Sequence, residues 1–409
     1  MPRPIYRASA LLPRLALALL AGVALATLWV NLSPATYYDV IEWRLLDLDV
    51  PGWIAPLPIS LTPLTLVSEG LMALFIFTIG KELWEALVVE HGALKGRQAL
   101  LPAGLVAGGA VGAVLVWILT GSLIETAEEA GFAAGWPVPL GSDVVLCYVV
   151  GRAVFGPGHP ALHLLLLLAI AADILALLML GLSQAVISPR LAWLLLPVLA
   201  SLMVWRSYGR ALPEDAPERQ RQAQGRLLPY VLAGILSWIG VAAAGLPPVL
   251  GLLPVIPAIA HADRSFGPFA EAEDLLHDPL NRLTHALAAP LTVTLFLFGL
   301  TRGGLDLSAL APTTVTTLAA LWIGKPLGIL ILGLGSIALI GQNLPAGVSL
   351  RDVLRIAVIL GPGFTVPVLA LDGALPGGAM QEAARLGLAP GLLVAALALA
   401  LPRGRQSRA

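Results

Sequence analysis

Charge is scarce in this chain: Asp, Glu, Lys and Arg make up 12% of its 409 residues, against 58% that are hydrophobic. A soluble domain keeps about a quarter of its residues charged to hold its surface in water, so an ordinary water-soluble fold is excluded. The charges also lack a dominant sign, giving a net charge of −1, and the basic residues are scattered over short loops and the termini. No basic face for nucleic acid results. Cysteine is nearly absent: Cys147 stands alone, cannot form an internal disulfide, and reads as a small apolar helix residue. A metal-ligating His/Cys/acid cluster, a nucleophile motif and a phosphate loop in a plausible context are missing too, which argues against an enzyme and against a resident cofactor.

Long apolar runs are what the chain does have. They recur at roughly 18 to 25 residues, the length that crosses about 30 Å of hydrocarbon at 1.5 Å per residue. Between breakers they predict helices over 12–31, 62–88, 98–121, 139–152, 161–184, 190–208, 228–245, 247–262, 286–304, 313–339, 353–371 and 385–402. The fold class is therefore an all-α polytopic membrane protein of about twelve transmembrane helices, one integral domain over 1–409. The first run, "LALALLAGVALATLWV", follows Arg3, Arg7 and Arg14 as a signal peptide would. No clear small-residue cleavage site follows and the next run is equally apolar, so it reads as an uncleaved first span. "GLVAGGAVG" suits close helix packing better than a nucleotide site.

Lys and Arg gather in the N-terminal tail, at Lys95 and Arg97, in the loop 206–227 and at Arg403, Arg405 and Arg408, whereas Glu125, Glu128 and Glu129 occupy an opposite loop. The positive-inside rule then places both termini and the loops 206–227 and 263–285 in the cytoplasm. The stretch 32–60, with "YYDVIEWRL", is either an extramembrane hairpin supporting a homodimer or an interfacial aromatic belt.

An ionisable side chain at mid-membrane costs at least about 2.5 kcal/mol, so each one asks for a reason. Four stand out: Glu82, Asp143, Asp173 and Lys325. Asp173 is the only charge in "LLLLLAIAADILALLML". It must face a watery cavity, pair with a cation or stay protonated, and each choice suits a proton or cation site. Lys325, in "LWIGKPLGI", precedes Pro326, which lacks the donor that continues a helical ladder. There an ammonium neutralises a carboxylate, satisfies freed carbonyls or cycles its own proton. Asp143 follows a helix break made by Pro137, Pro139 and Gly141, and Gly361, Pro362, Gly363 and Pro367 break a second span. Broken backbone at membrane depth must line a protein-enclosed cavity, and paired breaks in the two halves of a chain point to a transporter's binding site.

Six strings, "EGLMALFIFTIGKEL", "GWPVPLGSDVV", "LLLLLAIAADI", "PLNRLTHAL", "LWIGKPLGI" and "GPGFTVP", resemble in the same order the landmark motifs of the NhaA-type sodium/proton antiporters. The resemblance implies an inverted-repeat transporter fold with two unwound helices crossing near the midplane. It also implies Ser142 and Asp143 in place of the family's Thr-Asp, Asp173 as the second of its paired aspartates with Ala172 replacing the first, and Lys325 as the charge-compensating lysine. Glu82 corresponds to a funnel glutamate, although Trp84, Glu85 and Ala86 replace the residues that usually follow it. Of the funnel's ionisable residues on later helices only His285 persists, Pro247 and Thr284 standing at two of the others.

The function expected from the resemblance is exchange of Na+ or Li+ for protons across a bacterial-type inner membrane. Asp173 and Asp143 would bind the cation and proton, Ser142 would assist, and Pro139, Gly141, Gly361, Pro362 and Gly363 would supply unwound backbone. Glu82 and His285 would shape the pH response. With Ala172 in place of an acid, one proton per cation is expected, an exchange that moves no net charge. The alternatives are a non-transporting scaffold or regulator, and a carrier of another solute.

Overall fold

The structure, a computed structural model, describes residues 9–49, 58–88, 96–124, 131–185, 188–210, 224–261, 267–271, 276, 278–375 and 377–400. Arg3, Arg7, Lys95, Glu125, Glu128, Glu129, Arg219, Arg221 and the C-terminal arginines lie outside these residues, as do parts of the 206–227 and 263–285 loops.

Helix α1 (Leu11–Leu32) leads into a short α2 (Pro34–Ile41) and a two-stranded antiparallel hairpin, β1 (Leu46–Asp49) with β2 (Pro58–Leu61), in which Leu46 pairs with Leu61. Then come α3 (Pro63–Val88), α4 (Leu100–Ile124), α5 (Val144–Phe155), α6 (Pro160–Gln184), α7 (Pro189–Gly209), α8 (Leu228–Ala243) and α9 (Pro279–Arg302). The chain closes with α10 (Pro312–Ile340), α11 (Leu350–Ile359), α12 (Thr365–Ala374) and α13 (Ala379–Ala400). Among the described residues eight helices are long and apolar enough to cross a bilayer, and Phe132–Leu140 joins α5, bent by 50°, as a broken span. Shorter apolar helices at Leu228–Ala243, Pro248–Ala258 and Thr365–Ala374 fall in the remaining expected segments. The chain is thus an all-α polytopic membrane protein.

Local chemistry explains where the elements depart from hydropathy. Residues 279–285, expected in a loop, form the first turns of α9: Asp278 caps the helix, its side chain accepting from Asn281 N at 3.2 Å, and Pro279 suits the first helical position. The 247–262 segment breaks into 3₁₀ pieces because Pro248, Pro254 and Pro257 remove successive donors. In α10 a π-helical turn lies on each side of Lys325–Gly328, where Pro326 interrupts the ladder.

Glycines set how closely the spans approach, since lipid supplies no hydrophobic drive between helices and packing must do so. Gly108 and Gly112 of α4 face Gly324 and Gly328 of α10; a Cβ on Gly108 would fall 2.7 Å from the Gly328 carbonyl oxygen. Gly22 and Gly299 likewise bring α1 against α9. Tyr37 of α2 donates to the carbonyls of Leu300 and Thr301, at 3.1 and 3.2 Å, and burial pushes its phenol up to about 12, so it stays a neutral donor. These contacts hold the middle of α10 and the end of α9.

Candidate functional site

The two helix breaks meet. The first leaves Gly141 to Asp143 between the 3₁₀ turn Val138–Leu140, which contains Pro139, and α5; the second leaves Leu360 to Phe364 between α11 and α12. Gly361 and Gly363 permit the approach: a Cβ on Gly363 would lie 3.0 Å from the Ser142 carbonyl oxygen, and one on Gly361 2.7 Å from that of Leu321. Pro362 packs against Gly391 of α13.

Each broken end exposes backbone groups that need partners, and the nearby side chains supply them by charge type. Asp143 is the N-cap of α5: one oxygen accepts from Val145 N (3.0 Å) and Leu146 N (2.9 Å), the other from Thr365 N (2.9 Å) at the start of α12. One carboxylate therefore serves the positive ends of both half-helices. Asp173 of α6 accepts from Ser142 N at 2.7 Å and Val144 N at 3.3 Å, so it also sits at the N-terminal end of α5.

The carbonyl ends are treated with donors. Lys325 Nζ donates to the Gly141 carbonyl and, at 3.2 Å, to Ser142 Oγ. Ser142 Oγ donates to the Leu360 carbonyl at 3.0 Å, and Cys147 Sγ to that of Ile359 at 3.3 Å. Of the roles open to Lys325, satisfying a freed carbonyl is met by a direct hydrogen bond. Among the described residues the ion pairs do not include one between Lys325 and Asp173.

Burial turns this arrangement into a chemical device. Ser142, Asp143 and Asp173 are 0% exposed and Lys325 is 2% exposed. Written as ionised groups, two aspartates and one lysine leave one uncompensated negative charge in a dry centre. A charge of that kind, buried among apolar helices, is costly unless a positive partner meets it. Asp143 has its oxygens committed to three N–H groups, whereas Asp173 holds two, one of them long. The Thr365 hydroxyl is buried beside Asp143, whose carboxylate its own N–H already holds.

Glu82 does not join this group. It is buried on α3, where Lys81 Nζ lies 3.2 Å from its Oε1 and 2.8 Å from Glu85 Oε2, and its Oε2 accepts from Phe269 N at 2.7 Å. His285 is exposed on α9, so the two residues paired in the funnel expectation occupy different environments. Sequence reasoning passed over Lys81 as Glu85's partner although the i, i+4 spacing was present. It also passed over Arg302, Asp372 and Arg385, which meet at one end of the bundle; isolated charges at span ends in "GLTRGG" and "LALDGA" were the only signal.

The family model described as Na+/H+ antiporter 1 matches residues 13–401. The chain is 37% identical over 399 residues to a Na+/H+ antiporter NhaA of Jannaschia sp., covering 94% of each chain. It is 32% identical to Na+/H+ antiporter NhaA 2 of Pelobacter propionicus, covering 96% of each.

Proposed function

The chain belongs to the Na+/H+ antiporter 1 family, and on that premise we propose how its own residues carry out the exchange. It is a multi-pass secondary antiporter, a transporter rather than an enzyme, that moves Na+ against H+. Asp173 is the shared ligand. One observation carries this: a fully buried carboxylate at the start of a half-helix, held by two N–H groups, with the neighbouring lysine engaged elsewhere.

Cation arrival and proton departure are one event at Asp173, because the centre tolerates one positive ligand and is strained by two or none. Ser142 offers its hydroxyl oxygen to the cation, and hard monovalent cations favour such oxygens. Asp143 stays ionised as the cap that joins α5 to α12, which keeps the half-helices in register while the ligand changes. Lys325 holds the Gly141 carbonyl and lowers the field of both acids. Without a ligand the centre carries net charge, and moving it across hydrocarbon is costly, so the empty carrier does not reorient. That rule couples the fluxes. Replacement of an acid by Ala172 leaves one exchangeable carboxylate and a ratio of one proton per cation, with Li+ accepted at the same oxygens.

Orientation follows the basic loops, with both termini in the cytoplasm and the protein in an inner membrane. The β1–β2 hairpin is the surface for pairing with a second copy, and no resident cofactor takes part. A scaffold without transport is disfavoured by the family to which the chain belongs. In vesicles with a trapped pH dye, Na+ pulses move protons in the natural protein and not in Asp173→Asn. Silence of the natural, folded protein between about pH 6 and 9 would sink the reading.

A further inference from the structure

Away from the crossing, one ion pair ties two groups of helices together. Arg302 ends α9 and Asp372 lies near the end of α12; Arg302 Nη1 is 2.9 Å from Asp372 Oδ1, with the side chains 14% and 15% exposed. Arg302 Nη2 also donates to Ser68 Oγ of α3 at 3.3 Å. Asp372 is held from the far side by Gln381 Nε2 at 2.9 Å and faces Arg385 Nη2 at 3.9 Å, both on α13. Arg302 is thus held by α3 and α9, and Asp372 by α12 and α13.

Two cavities, of about 710 and 200 Å³, have both Arg302 and Asp372 in their walls, so the pair partitions them. The larger is flanked by Glu42, Asp306 and Glu382, acids that draw cations. The smaller reaches Leu180 of α6 and Leu369 of α12. Leu180 is about two helical turns beyond Asp173, and Leu369 about one turn beyond Thr365, whose N–H holds Asp143. Arg302 Nε, Arg385 Nε and Asp372 Oδ2 are buried without partners, so the cluster has bonding capacity that its present arrangement leaves unused.

We infer that the Arg302–Asp372 pair is the outer gate of the cation path. It is closed here, pinning α12 to α9, and it parts when Asp173 faces the outer solution. The inference rests on the antiport reading and its orientation. Both residues are positioning residues: they act through α12, the half-helix that carries one end of the crossing.

Leu180→Cys in a Cys147→Ala background reports the gate. The protein is reconstituted in sealed vesicles of known orientation, and a membrane-impermeant maleimide is added at the outer face. Arg302→Gln is expected to speed labelling about tenfold, the size of shift that loss of one partly buried ion pair gives. Asp372→Asn does the same, and the exchanged pair, Arg302→Asp with Asp372→Arg, returns labelling toward the slow rate. A control cysteine at Val353, buried on α11, stays slow. Equal rates with and without the pair overturn the gate, as does equal acceleration at Val353, or acceleration from the inner face alone. Labelling does not require exchange, so a protein that opens on Arg302→Gln yet moves no protons keeps the gate and loses the antiport reading.

Discussion

Two aspartates of equal burial have different tasks at the crossing. Asp143 is spent on backbone donors, and Asp143→Ala strands three buried N–H groups at once, a loss of about 3 kcal/mol or more. The expected result is a clear drop in the thermal midpoint of the purified protein. Asp173→Asn keeps one carbonyl acceptor and costs about 1 kcal/mol, yet it abolishes exchange because no ionised oxygen remains. A variant that loses stability and one that loses only transport separate the two roles. The pH dependence follows from competition at Asp173. As pH falls the proton occupies the carboxylate, so the apparent KM for Na+ rises, approaching about tenfold per pH unit for one proton and about a hundredfold for two. Initial rates across a Na+ series at several pH values read that slope directly.

At the scale of elements, α4 and α10 are joined through glycine, and that seam fixes Lys325. Gly328→Leu drives a side chain into the Gly108 and Gly112 backbone, with an expected cost of about 1–3 kcal/mol. Lowered thermal stability together with reduced exchange would register the displacement of Lys325. Much of this architecture was legible in the sequence because apolar runs and Gly/Pro breaks are local signals. Asp143, Asp173 and Lys325 stood out by being charged where charge is costly. The start of α9 was hidden because Asn281, Arg282 and Thr284 lower its hydropathy, although Asp278 and Pro279 marked the cap. What local pattern cannot supply is partnership between distant residues. Arg302 and Asp372 lie seventy positions apart, and of the three roles the sequence left open for Lys325 nothing local singled out the Gly141 carbonyl as its partner.

Across the whole molecule, the occluded site requires that helices move for an ion to enter or leave. On the proposed one-for-one exchange at Asp173 the centre is neutral with either ligand bound, and the moving unit then carries no net charge in either direction. Exchange should therefore run at the same rate with the membrane potential clamped at zero or imposed by a potassium gradient and ionophore. A rate that follows the potential would demand a second proton, with Lys325 as its carrier. The position of Cys147 adds a consequence of another kind. The chain's one thiol is buried in the crossing, donating to the Ile359 carbonyl, far from any oxidant in bulk solution. Damage by a mercurial should accumulate with the number of turnovers rather than with time of exposure, so an idle antiporter is protected and a working one ages.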